Sequence, residues 1–190
     1  MTPAEIGARL VEALGAGEVS ESGGGKFARA TVEVPAERWV EAITAARDEL
    51  GCDFFDWLTA VDELPGGFTI VAHLWSTADR HGVLVRTTLP REAPELPSVV
   101  AIFPGAAWHE RETHEMFGIT VLGHADIQPL LLPPEFEGHP LRKEFVLASR
   151  VAKPWPGAKE PGESEHAASK RAPMRPPGVP SPDEWPGGRG

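Results

Sequence analysis

The 190-residue sequence has one cysteine, Cys52, and no apolar run near the ~18 residues that a membrane span requires. A single thiol excludes an internal disulfide, and it excludes a four-thiolate iron–sulfur cluster or a Cys-rich zinc site built from this chain alone. A reducing, intracellular setting fits. Cys52 lies between a helix stop and an apolar strand, with no histidine near it in sequence, and reads as a buried structural thiol. Nothing matches GxxxxGK[ST], so a nucleotide-phosphate cradle is absent. Gly15-Ala16-Gly17 followed by Ser20 imitates a dinucleotide fingerprint, but it follows a helix and leads into more Gly/Ser loop, where such a site needs strand, turn and helix in that order. The N-terminus lacks the basic region and cleavage site of a secretory leader. Basic residues are scarce too, 18 Lys and Arg against 28 Asp and Glu. The last 40 residues hold six basic and five acidic side chains, so the first 150 carry a net charge of −11. A body that negative is not drawn to nucleic acid phosphates or to an anionic lipid surface by its general field.

Gly and Pro, 20 of each, are what the chain has in excess, and nine Pro and six Gly fall in the last 40 positions. The chain is therefore read in three parts: a globular body over 1–117, an irregular segment over 118–150 that completes it, and an extended Pro/Gly-rich tail over 151–190. In the body, Thr2-Pro3-Ala4-Glu5 carries a capping box with Pro at the first helical position, Ile6, Leu10, Val11 and Leu14 recur at helical spacing, and Gly15 stops the helix. Gly15 to Lys26 is a Gly/Ser-rich loop, and Phe27 to Val34 alternates as a strand. The stripe Trp39, Ile43, Ala46, Leu50 marks a second helix closed by Gly51.

Three apolar, β-prone runs follow, Asp53 to Val61, Phe68 to Trp75 and Val83 to Leu89, joined by short reversals. Consecutive strands so joined pair antiparallel, and the helices before them can cover only one face or one edge. The fold class expected is α+β: a mainly antiparallel or mixed sheet covered by helices on one side. Ser98 to Phe103 reads as a short apolar helix between prolines, and Ala106 to about Phe117 as another. From Gly118 to Arg150 no period of 2 or 3.6 persists, yet Leu130-Leu131-Leu132, Phe136, Leu141 and Phe145 are too apolar for a solvated coil, so the segment needs a surface to lie on. The tail, from Pro154-Trp155-Pro156 to Trp185-Pro186, has aromatic anchors on a proline-stiffened chain, a composition shared with plain disorder.

The densest chemistry is His109-Glu110-Arg111-Glu112-Thr113-His114-Glu115, where six of seven positions ionise. A zinc hydrolase of the HExxH type needs histidines four apart on one helix face. These are five apart, about 140° around the helix, so a stand-alone metal-dependent hydrolase using His109, Glu110, His114 and Glu115 is the weaker reading. Trp108 and Met116-Phe117 hem the charges in, which favours partnered charges over a solvated face. A second cluster, Glu137-Gly138-His139-Pro140-Leu141-Arg142-Lys143, is a turn that offers a guanidinium and an ammonium to a carboxylate. Glu110, Glu112 and Glu115 are its candidate partners; a network closed within the chain and a docking contact to another chain both fit, and a catalytic acid/base pair is a third reading that the spacing neither supports nor excludes.

At these clusters the chain resembles a known family. Glu110-Arg111-Glu112-x-x-Glu115-Met116-Phe117-Gly118-Ile119, then His124, then Glu137-Gly138-His139-Pro140-Leu141-Arg142-Lys143 is similar to the signature of the C, or 30 kDa, subunit of respiratory complex I, the proton-pumping NADH:quinone oxidoreductase. The likeness runs back to about Phe27 and forward into Val151 to Gly157. Glu115 stands where Asp is commoner, and Gln128 where a basic residue or proline is usual. The resemblance implies a scaffold subunit of the peripheral arm without a catalytic site or metal of its own, with flavin, iron–sulfur clusters and quinone on partner subunits. It implies docking on the quinone-site D subunit with B and I nearby, no nucleic acid, and membrane association only through the complex, at the cytoplasmic face of the bacterial membrane. Equivalent subunits of membrane-bound hydrogenase-like complexes share these features, so the assembly is implied more specifically than the electron donor.

Overall fold

Residues 1–146 are described by the computed structural model, Lys26 through its backbone only; the tail reading over 151–190 lies outside the described residues. Helix α1 (Pro3–Leu14) begins with the reciprocal Thr2–Glu5 capping box and ends at Gly15, whose φ of 67° is a left-handed value that glycine adopts without strain. Strands β1 (Glu18–Ser22) and β2 (Arg29–Glu33) follow, then α2 (Trp39–Asp48), β3 (Phe54–Glu63), β4 (Gly67–Ser76) and β5 (His81–Leu89). The short β6 (Glu95–Pro97) precedes α3 (Ala106–Phe117) and β7 (Thr120–Leu122). The main sheet has the order β1-β2-β5-β4-β3. Only β2 and β5 run parallel in it, the other neighbours being antiparallel, so the sheet is mixed and the fold is α+β.

Register puts Ala30, Val32, Leu58, Ala60, Phe68, Ile70, Ala72, Leu74, Val83 and Val85 on one face. All are buried, in one cluster with Ile6, Leu10 and Leu14 of α1, Trp39, Ile43 and Ala46 of α2, and Ala106, Met116 and Phe117 of α3. Each large side chain so buried contributes roughly 1.5–3 kcal/mol. The opposite face carries Trp57, His73 and Trp75 in a row, with ring centroids 5.9 and 6.3 Å apart.

Three expectations fail. The Gly15–Lys26 loop contains β1, whose sequence Glu-Val-Ser-Glu-Ser shows no alternation because this edge strand is mostly exposed and meets α1 chiefly through Val19 at Gly7, where even a methyl group would collide. Residues 98–103 form turns rather than a helix: Ile102 and Phe103 both donate to the Val99 carbonyl, at 2.9 Å each. Six residues between prolines cannot offset helix nucleation, and the first amides of the run have other partners. Strand β7 adds a parallel pair with β6 inside the region expected to be irregular.

Candidate functional site

Helix α3 leaves four C-terminal carbonyls without partners inside the helix, as every α-helix does. All four are answered. His114 O accepts from Gly118 N–H at 2.8 Å and Met116 O from Leu141 N–H at 3.2 Å. Glu115 O accepts from His139 Nδ1 at 2.9 Å, and Phe117 O from Arg142 Nε at 2.6 Å. The Gly138–Arg142 cluster is thus the C-cap of the helix that carries the first cluster. Gly118 has φ 69°, and a Cβ on it would lie 2.4 Å from His139 Nε2 and 2.7 Å from Arg142 Nη2, so glycine permits both the turn and the close approach. Arg142 brings its positive charge to the negative end of the helix. Pro140, half-buried, and Gly138, with φ 94°, shape the turn that delivers these donors.

The carboxylates of α3 do not pair with Arg142 or Lys143. Glu115 accepts from the backbone amides of Leu130, Leu131 and Leu132 at 3.1, 2.8 and 3.0 Å. Burial alone would raise its pKa; the three amides and the Arg111 charge outweigh that and hold the carboxyl below its ordinary range. Arg111 donates from Nε and Nη2 to the carbonyls of Gln128 and Pro129, both at 2.8 Å, and its guanidinium lies 5.5 Å over the Trp108 ring. The contact is to the backbone, so it does not depend on the Gln128 side chain.

Glu110 is fully buried and accepts from Ser98 Oγ and Val99 N–H, both at 2.7 Å, which fixes the turn after β6. Desolvation pushes its pKa up, against those two hydrogen bonds and the weaker pull of His124. His124 Nδ1 lies 3.1 Å from the Asp126 amide nitrogen, and its Nε2 faces Ala107 O at 3.3 Å and Glu110 Oε2 at 4.0 Å. His109 Nδ1 meets Leu58 O at 3.2 Å and His114 Nδ1 meets Ile119 O at 2.9 Å. The four groups of the hydrolase reading thus engage four different backbone segments, and among the described residues no three His, Cys, Asp or Glu side chains converge on a metal position. Glu112 is half-buried and has no hydrogen bond or ion pair among the described residues. The Glu137 and Lys143 side chains are exposed.

One buried network was not anticipated. Asp62, 3% exposed, is bonded to Arg91 and accepts from Lys143 N–H at 2.8 Å. Arg91 also reaches both oxygens of Glu144, at 3.0 and 2.9 Å, and both Arg91 and Arg142 lie against the Phe68 ring, at 4.8 and 5.3 Å. Asp62 follows Leu58 and Ala60 at core-facing positions of β3, and an acidic residue in that alternation is the signal for a hidden partner. Cys52 is a buried free thiol whose pKa is pushed up to about 12 by burial first and by Asp53 and Asp79 after it, in keeping with a structural role.

The irregular segment is thus tied down through backbone amides and through His139 and Arg142; Ile119 is buried and Leu132 packs against the core, while several other apolar side chains stay outside. Leu131 and Leu141 give their amides to α3 yet remain 59% and 53% exposed. Leu122, Phe136 and Val146 are exposed as well. His114, Glu115, Leu132, Phe136 and His139 help line a groove of about 270 Å³ beside them.

Comparison with known proteins gives consistent results. The family model described as respiratory-chain NADH dehydrogenase, 30 Kd subunit, matches residues 32–151, a span that holds both clusters. The C subunit of NADH-quinone oxidoreductase from Roseiflexus castenholzii is 40% identical over 123 residues, 63% of this chain and 71% of that protein. The C/D subunit of NADH-quinone oxidoreductase from Methylococcus capsulatus is 39% identical over 137 residues, 66% of this chain and 23% of that longer protein. Among solved structures, a chain of the membrane-bound sulfane sulfur reductase, an archaeal respiratory membrane complex, superposes with a TM-score of 0.66 at 26% identity, covering 76% of this chain and 85% of that one.

Proposed function

Because the chain belongs to the 30 kDa subunit family of respiratory-chain NADH dehydrogenases, we propose that it serves NADH:quinone oxidoreductase as a scaffold subunit without a catalytic site or cofactor of its own. It docks on the D-type subunit, with B and I nearby, and supports electron transfer from NADH to quinone through flavin, iron–sulfur clusters and quinone held by its partners. It sits at the cytoplasmic face of the membrane and associates with it through the complex; none of the described helices is long and apolar enough to cross a bilayer. The observation that carries this reading is the pattern in residues 122–146, where amides and the His139 and Arg142 side chains are spent inward on α3 while Leu122, Leu131, Phe136, Leu141 and Val146 face out. A loop made for water does the reverse. The C/D relative supports the choice of partner, since a fused chain keeps its two parts together. The motif residues Glu110, Arg111, Glu115, Phe117, Gly118, His124, His139, Leu141 and Arg142 build this surface from beneath.

The test is affinity purification of the tagged full chain from native membranes. Recovery of a D-type subunit with iron–sulfur and flavin proteins is expected, with neither flavin nor iron on the chain purified alone. A soluble adaptor would recover none of them. The likeness to an archaeal respiratory complex favours a second reading, the equivalent subunit of an oxidoreductase with another electron donor. Recovery of the D-type partner without any NADH-oxidising flavoprotein would favour it.

A further inference from the structure

Helix α3 presents one ionisable side chain without a partner among the described residues. His109, Glu110, Arg111, His114 and Glu115 each contact another part of the chain through a hydrogen bond. Glu112 has no such contact among the described residues, although it is half-buried. Four positions before it, on the same stripe of the helix, Trp108 is 62% exposed. That indole is not loose, because the Arg111 guanidinium lies 5.5 Å over it while its Nε and Nη2 are spent on the Gln128 and Pro129 carbonyls. The backbone beyond, Leu130 to Leu132, is held by Glu115, and Leu131 projects into solvent beside the same helix. An aromatic plate and a carboxylate therefore stand one helical turn apart on a helix whose C-terminal end is fully capped.

We propose that Trp108 and Glu112 form a receptor for an arginine side chain of the docking partner. The planar guanidinium is the group that can stack on an indole and fork to a carboxylate at once, which a lysine ammonium cannot do. Holding the indole in place beforehand, as Arg111 does, lowers the ordering cost of binding. The inference rests on the docking reading above and gives one chemical identity to a contact within it.

The experiment uses the full chain co-expressed with its D-type partner and measures their affinity at two salt concentrations. Glu112→Gln is expected to weaken binding at least tenfold and to flatten its salt dependence, with the melting temperature of the free chain unchanged. Trp108→Leu is expected to weaken it by a similar factor. Free arginine amide should compete for the wild-type complex at concentrations where lysine amide does not. If Glu112→Gln binds as tightly as wild type, or lysine amide competes equally, the arginine receptor is overturned while docking stands. Self-association of the chain through this face, abolished by Trp108→Leu, would also overturn it. A wild-type chain that does not bind the D-type subunit would overturn both readings, which separates the two failures.

Discussion

Phe68 in the central sheet is 0% exposed and packs its ring against Phe117, whereas Leu131 in the irregular segment is 59% exposed and contributes only its amide to the fold. The first region is held by apolar area removed from water, the second chiefly by directional polar contacts to α3, Asp62 and Arg91. Burial is shared over many neighbours and is non-directional, so the sheet and its helices stand or fall together. Polar anchors are directional and few, so the segment can be released one contact at a time. This division lets a stable body carry a strip of apolar side chains without drawing them into the core.

The largest expected effect breaks the first side of the comparison. Phe68→Ala should cost about 3–5 kcal/mol, since it opens a cavity under two guanidiniums and beside Phe117. Chemical denaturation of the free chain will show a single shifted transition. Next comes Glu115→Ala, which removes the acceptor of three amides and should cost about 1–3 kcal/mol, mostly at the segment. Amide exchange at Leu130–Leu132 and proteolysis after Gly118 should rise sharply while the midpoint of the body moves little. A midpoint shift as large as that of Phe68→Ala would mean that the two regions form one cooperative unit.

A smaller effect sharpens the comparison within a pair of glycines. Gly15→Ala should cost about 1–2 kcal/mol for its left-handed φ of 67° alone, because nothing lies near the new methyl. Gly118→Ala meets a similar φ and must in addition displace His139 and Arg142, so its thermal destabilisation should be larger and should come with loss of protection in 139–146. Equal shifts would show that the two side chains yield freely.

The smallest effects come with pH, and they have opposite signs. Glu115 has a lowered folded pKa, so the unfolded chain binds more protons between the two values; its contribution is present above the unfolded value of about 4.3 and fades as pH falls through the folded one. Glu110 has a raised folded pKa, so its contribution is complete below the unfolded value and is lost as pH rises through the folded one. Stability measured from pH 3 to 8 should therefore show a steeper acid limb when Glu110 is replaced by Gln, and a shallower one with Glu115→Gln. Unchanged limbs would indicate that neither carboxyl is coupled to folding.

Much of the body was legible in the residues. Capping at Thr2, the apolar stripe of α2, and the alternation in β3 to β5 are local patterns, and each names its element without reference to anything distant. The polar edge strand β1 was not legible, because an exposed edge leaves no alternation to read. The turn at 98–103 was not legible either, since it depends on Glu110 reaching back for the Val99 amide. The two charged clusters were visible as a pair, but their joint role was not. Charge matching pointed Arg142 at Glu110, Glu112 or Glu115, and the fold spends it on the Phe117 carbonyl instead.

Local periodicity and motif spacing were enough to establish the fold class, the motif helix and the family resemblance, because helix and strand patterns are written at separations of two to four residues. Which groups satisfy one another was settled only by the folded chain. A carbonyl at the end of α3 takes whichever donor the turn at 138–142 brings within 3 Å, and that distance exists only after the sheet has placed both.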